Sequence, residues 1–326
     1  MANLLEQASI LLTPTAYNDG KMLSVKPTNG DGDFIFTRNS AATRVNAQGL
    51  VDSVSENLPR INYEGGCGSW LLEPQSTNLY LNSETLFTQN NTTLASTYTV
   101  SFYGTGTITF SGTYNGTLIG TGLNNRVSLT FTTASGTLIS TVSGTCTKGQ
   151  LENLTYPTSY IPTSGAISTR LRDLSGNSGN TVLINSTEGV LYVDFAAYST
   201  QNTREITLSD GTSSNRIIIS YNSNNRLDVN LYTSGGYQAI FNYTGISDST
   251  AFNKIAFKYK ENDCSLWVNG VEVGVDTNAP IMPIGLDILN LASSNGATNI
   301  MYGKVNALAV FKTALTDEQL TALTTI

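Results

Sequence analysis

Apolar and polar residues alternate strictly through much of the C-terminal half of the chain. Leu227, Val229 and Leu231 interleave with Asp228, Asn230 and Tyr232, which gives a strand one core face and one wet face. Ser234-Gly235-Gly236 then turns the chain into Tyr237, Ala239, Phe241 and Tyr243, and Ile255, Phe257 and Tyr259 repeat the pattern. Strands are predicted over 189–196, 216–221, 227–232, 237–243, 253–260 and 264–268. Asn269-Gly270, set between Trp267-Val268 and Val271-Glu272-Val273, predicts a type I′ hairpin, whose two central residues both need positive φ.

Upstream the strands are shorter. Segments 97–102, 105–111, 126–132 and 137–142 are β-branched or alternating, and Gly104, Gly112, Gly120, Gly136 and Gly144 punctuate them. That spacing predicts a small β-sandwich over 81–172. Residues 1–80 read as irregular structure with short strands, 33–37 among them, and as a docking or oligomerisation region. The glycine-rich run 62–68 is expected to fold against a neighbour. Leu174 to Asn180 reads as a turn-rich linker over 173–180, ahead of a final sandwich over 181–326. One helix is predicted, at the very end. Thr316-Asp317-Glu318-Gln319 is a capping box flanked by Leu315 and Leu320 at staple positions. A helix this short must dock on a sheet. The fold class is therefore all-β: β-sandwich domains closed by one short terminal helix.

Composition sharpens the functional question. The 326 residues are 40% hydrophobic but only 13% charged, with a net charge of −7. Ser, Thr, Asn and Gly fill the gap, and they suit turns and solvated strand faces. Lysine and arginine are scattered, so a phosphate-tracking stripe and nucleic-acid binding are not expected. No apolar run approaches a membrane span, and the opening MANLLEQASILLTPTAY lacks the basic start of a signal peptide. Cys67, Cys146 and Cys264 are odd in number and far apart, and read as three buried thiols made in a reducing cytoplasm. Histidine is absent, which removes the commonest general base and the commonest metal ligand together.

Two resemblances follow from particular residues. Val193-Asp194-Phe195, the 265–273 hairpin, and the close Tyr302-Gly303-Lys304-Val305 through Phe311-Lys312-Thr313-Ala314-Leu315 to Gln319 resemble laminin-G-like domains of the concanavalin-A superfamily. The resemblance covers about 180 to 326 and implies a two-sheet jelly roll. Such domains often carry an acidic pair where this chain has Asn306-Ala307, so calcium or sugar contacts by that pair are not carried over. In front, Phe36-Thr37-Arg38-Asn39-Ser40, Leu58-Pro59-Arg60-Ile61-Asn62-Tyr63, Leu71-Leu72-Glu73-Pro74-Gln75-Ser76-Thr77-Asn78-Leu79, and Gly149-Gln150-Leu151-Glu152 with 156–163 resemble a module of tail, fibre and head-appendage proteins of phages, those of Bacteroidota and crAss-like phages included. That resemblance implies a virion structural protein, made in the host bacterial cytoplasm, that forms homo-oligomers (trimers being usual) and contacts other virion proteins.

Residue patterns bear on catalysis, metal and sugar in turn. Glycoside hydrolysis needs two carboxylates on one cleft. Glu188 and Asp194 flank one strand but are six apart, and Glu272 with Asp276 straddles a probable strand end; each reads as a solvated charge, so no enzyme is expected. No cofactor is required, although Asp210-Gly211-Thr212-Ser213 and Asn262-Asp263 are oxygen-rich loops and Asp210 is a candidate calcium ligand. Glycan binding needs an aromatic platform with amide or carboxylate groups beside it. Tyr221, Tyr232 and Tyr237, with Asn222 and Asn224, are the candidate residues for a host surface glycan. A capsule depolymerase and a prophage- or host-encoded surface lectin are the alternative readings.

Overall fold

The computed structural model describes residues 4–200 and 204–326. Its central feature is a pair of facing sheets. One sheet runs Val271–Asp276, Cys264–Val268, Asn253–Lys260, Glu188–Ala197, Gly303–Phe311, Ser69–Leu72 and Ile61–Asn62, with Ile10–Leu12 also pairing with Gly303–Phe311. The other runs Gly236–Tyr243, Leu227–Thr233, Arg216–Tyr221, Arg204–Ser209 and Ile288–Asn290. Their inner faces share one core that includes Leu191, Phe195, Ile219, Val229, Phe257 and Leu308. This is the two-sheet jelly roll that the laminin-G-like resemblance implies.

The outer face of the larger sheet is covered as well. The helix Asp317–Thr324 and the short 3-10 turn Leu4–Gln7 pack Leu320, Leu323, Leu4 and Leu5 onto Tyr192, Trp267 and Phe311. Covering both faces explains why Glu188–Ala197 is an almost continuous apolar run with no alternation. The capping box forms as expected. Gln319 N–H donates to Thr316 Oγ1 at 3.3 Å and Thr316 N–H donates to Gln319 Oε1 at 2.9 Å. The predicted hairpin also forms, with φ of 50° at Asn269 and 87° at Gly270. Gly303 in the closing strand has a mechanical reason: a Cβ there would lie 2.0 Å from the Ala196 carbonyl oxygen.

Residues Gln89–Thr93, Gly136–Ser143, Thr107–Gly112 and Gly116–Ile119 form a four-stranded sheet that faces a three-stranded sheet of Gly122–Thr133, Ser96–Gly104 and Cys146–Glu152. Val100, Phe102, Ile108, Phe110, Phe131 and Leu151 fill its own core. This is the small β-sandwich.

Several expectations need correction. The N-terminal stretch is built into the jelly roll: Ile10–Leu12, Ile61–Asn62 and Ser69–Leu72 extend its larger sheet, and Phe34, Phe36 and Trp70 enter its core. The pairing is non-local (Ile10 opposite Val310), so no local pattern announces it. Residues 173–180 are no linker. Leu174–Gly176 pairs with Phe34–Thr37, Asp173 and Ser178 are buried, and the Ser178 hydroxyl donates to the Gly32 carbonyl. Glycine and serine are there for close approach: a Cβ at Gly176 would lie 2.1 Å from Asn290 Oδ1. Of the 62–68 run, Asn62 is buried in its strand and Tyr63 packs against the core, while 64–67 form an exposed tip with open space around Gly65 and Gly66. Cys67, on that loop, is exposed; Cys146 and Cys264 are buried, and burial pushes the Cys264 thiol up to about 11.

Candidate functional site

The five-stranded sheet presents an outer face that neither helix covers. Strand register places Arg216 opposite Tyr232 and Tyr232 opposite Tyr237, so three neighbouring strands bring these side chains together. The two tyrosine rings lie 4.3 Å apart between centroids, tilted by 36°. The Arg216 guanidinium carbon sits 4.3 Å from the centre of the Tyr232 ring, within the range of a cation–π contact. Tyr237 is 55% exposed and supplies an open aromatic surface. Asn230, two residues before Tyr232 and so on the same face, keeps an Oδ1 without a partner among the described residues.

The other predicted site residues do not join this group. Tyr221 is only 1% exposed and stacks on Phe195 with centroids 4.4 Å apart. It shares strand parity with Ile217 and Ile219, which all face the core. The run Ile217-Ile218-Ile219 masks that parity in the sequence, because Ile218 is apolar on the other face. Burial raises the Tyr221 hydroxyl well above its usual range. Asn222 and Asn224 occupy the connection at the opposite end of the strand Leu227–Thr233 from Tyr232. Asn222 caps that turn: its Oδ1 accepts from Ser223 N–H at 2.8 Å and its Nδ2 donates to Asp228 at 2.9 Å. Asn224, exposed with φ of 61°, donates its N–H to the Thr200 carbonyl at 3.1 Å. A strand of this length keeps the two ends roughly 15–20 Å apart, too far for one sugar to touch both.

The Asp210 carboxylate is taken up within its own loop. Thr212 donates to Oδ1 from N–H at 2.9 Å and from Oγ1 at 2.6 Å, and Asn215 Nδ2 donates to Oδ2 at 2.9 Å. Its slight burial opposes ionisation, but the hydrogen bonds from Thr212 and Asn215 outweigh it and hold the carboxyl below its usual range. Among the described residues no cluster of three or more metal-ligating side chains occurs. Asp194 is not the solvated charge that the sequence suggests. It is buried in the larger sheet, burial raises its carboxyl, and Asn306 Nδ2 donates to it at 3.4 Å.

A second arrangement has no counterpart in the sequence reading, although most of its residues lie in the motifs of the first half. Arg38, Arg60 and Arg170 meet Glu73 and Asp173 in a fully buried ionic network. Arg60 bridges both carboxylates, at 2.7 Å to Glu73 and 2.5 Å to Asp173. Arg170 lies 2.7 Å from Glu73, and Arg38 lies 3.1 Å from Asp173. Ser159 donates to Glu73 from both N–H and Oγ at 2.6 Å, and the Tyr198 hydroxyl donates to it at 3.1 Å. Thr158 continues the network to Glu152, which also accepts from Ser76 and Gln150 at 2.6 Å each. Burial alone would raise the Glu73 carboxyl, but Arg170, Arg60 and the Ser159 hydrogen bonds hold it well below the usual range. The network draws on the N-terminal stretch, the small sandwich and, through Tyr198, the jelly roll.

With this geometry in view, residues 182–321 match the laminin-G family model described as the concanavalin A-like lectin/glucanases superfamily, and this part of the chain is a concanavalin-A-like domain. No curated protein matches the sequence. Among solved structures, the CBM40 of the Ruminococcus gnavus IT-sialidase is 13% identical, over 46% of this chain and 93% of that one, with a TM-score of 0.39. Domain 4 of the GH43 extracellular arabinanase AbnA from Geobacillus stearothermophilus is 17% identical, over 49% and 77%, with a TM-score of 0.37. A heptameric SAP-like pentraxin from Limulus polyphemus is 12% identical, over 45% and 72%, with a TM-score of 0.35.

Proposed function

We propose that this protein is a non-enzymatic structural component of a bacteriophage particle, a fibre or decoration protein, whose jelly roll is displayed for adhesion and contacts host surface glycan through the Tyr232–Tyr237 face. The observation that carries the particle reading is the destination of the phage-module motifs. Arg38, Arg60, Glu73, Gln150, Glu152, Thr158 and Ser159 all come from those stretches, and all converge on one buried network. Such a junction holds a spacer sandwich rigidly against the displayed domain, as an appendage under mechanical load requires. The glycan reading is supported by the open Tyr237 ring, the Arg216–Tyr232 contact beside it and the unpartnered Asn230 acceptor. Homo-oligomerisation, most simply as a trimer, would turn a weak site into useful avidity. Catalysis by histidine is ruled out by composition, and Glu73, Asp173 and Glu152 are committed to arginine or hydroxyl partners.

Immunogold electron microscopy of purified particles, with antibody raised to residues 181–326, tests the particle reading. Label on tail or head supports it, and absence of the protein from particles by immunoblot overturns it. Incubating the chain with host polysaccharide tests the adhesion reading. Retention without new reducing ends or unsaturated products supports it, whereas released products would make the protein a depolymerase.

A further inference from the structure

A cavity unrelated to the tyrosine face lies where the three parts of the chain meet. Its volume is about 300 Å³, at the small end of the range for small-molecule sites. Arg44 enters its wall from the N-terminal stretch, Arg126 from the small sandwich and Lys304 from the closing strand of the jelly roll. Glu64 is the one acidic residue in that wall. A surplus of cations around one hollow is notable in a chain whose net charge is −7.

The two arginines differ from those of the ionic network. Arg44 donates to the Tyr17 hydroxyl at 2.9 Å, and Arg126 donates to Ser101 Oγ at 2.8 Å, so each has a neutral partner. The Nε of each is buried without an acceptor. A half-buried guanidinium held by neutral groups alone is poorly compensated and favours an incoming anion. Lys304 already shows the preference of the place: its Nζ lies 3.2 Å from the Glu64 carboxylate. Glu64 is half exposed and precedes Gly65 and Gly66, around which space is open. An exposed ion pair of that kind is weak and easily displaced. Tyr156 and Tyr198, also in the wall, stack 5.1 Å apart and nearly parallel at 4°, and give that side of the cavity an aromatic lining.

We propose that this junction pocket binds one acidic sugar residue, its carboxylate taken by Arg44, Arg126 and Lys304 and its ring laid on the tyrosine wall. Glu64 occupies the carboxylate's place when the pocket is empty and swings out on binding. The proposal shares no residue with the Tyr232–Tyr237 face and stands or falls separately from it.

The test uses the full chain and ligand-observed NMR titration with sodium D-glucuronate, D-glucose and sodium acetate as probes. Glucuronate is expected to bind in the millimolar range, with glucose and acetate about tenfold weaker or more. Arg126→Gln should weaken glucuronate about tenfold. Glu64→Gln removes the internal competitor from an exposed loop and should tighten binding severalfold; it remains informative if the arginine variant fails to fold. Equal binding of glucuronate and glucose, equal binding of glucuronate and acetate, no glucuronate binding, or unchanged affinity in Glu64→Gln would each overturn the proposal.

Discussion

The Arg60 guanidinium lies 2.7 Å from the Glu73 carboxylate, and neither side chain is exposed. A buried ion pair adds little net stability, because desolvating both charges offsets most of their attraction. Its effect is on specificity: each partner, left alone, would be an uncompensated charge in a dry interior. Arg60 and Glu73 therefore hold the N-terminal stretch in one arrangement against Ser159 and Arg170 of the second segment.

Replacing Glu73 by Gln should destabilise the chain by about 3–5 kcal/mol, since Arg60 and Arg170 lose their shared counter-charge while shape is preserved. Urea denaturation checks this. A loss below about 1 kcal/mol would mean that water or neighbouring carbonyls compensate the arginines.

Acid should act through the same residue. The Glu73 carboxyl titrates well below its usual range in the folded chain and at about 4.3 when unfolded. Its contribution is therefore complete above the unfolded value and is lost as pH falls toward the folded one. Asp194, raised by burial, has the opposite sign and relieves a penalty on protonation. Thermal melts between about pH 5 and pH 2 should show the wild type losing stability more steeply than Glu73→Gln. Parallel profiles would remove Glu73 as the acid-sensitive group.

Tyr221 and Tyr237 should separate stability from binding. Tyr221→Ala empties a core position stacked on Phe195 and should cost about 3–5 kcal/mol. Tyr237→Ala, on the open face, should change stability by no more than about 0.5 kcal/mol while lowering glycan retention about tenfold. Retention that survives Tyr237→Ala intact would exclude this face as the glycan contact.

The terminal helix offers a local test. Thr316→Ala removes one half of the capping box and should destabilise by about 1 kcal/mol, read by chemical denaturation. The helix covers Trp267, so indole fluorescence should report its loosening before the global transition.

Local patterns were enough to define many of the strands and the cap, though not Arg204–Ser209 or Ile288–Asn290 of the five-stranded sheet. Alternation at Leu227 to Tyr232 placed core and wet faces, Asn269-Gly270 specified its turn through two positive φ values, and Thr316 with Gln319 closed the helix start. Each depends on neighbours within a few residues, where the backbone's own geometry decides. Composition, through the missing histidine, bounded the chemistry in the same direct way. Tertiary structure alone decided the rest. Whether Tyr221 faced core or solvent depended on register against Leu227, because Ile218 hid the strand's parity. That 173–180 is structural followed from pairing with a strand nearly 140 residues earlier in the chain. The ionic network and the junction pocket likewise join residues from all three parts, and the charge on Arg38 or Arg44 in the sequence says nothing about its partner. Contact across such separations is set by the packing of whole sheets, to which no short window of sequence has access.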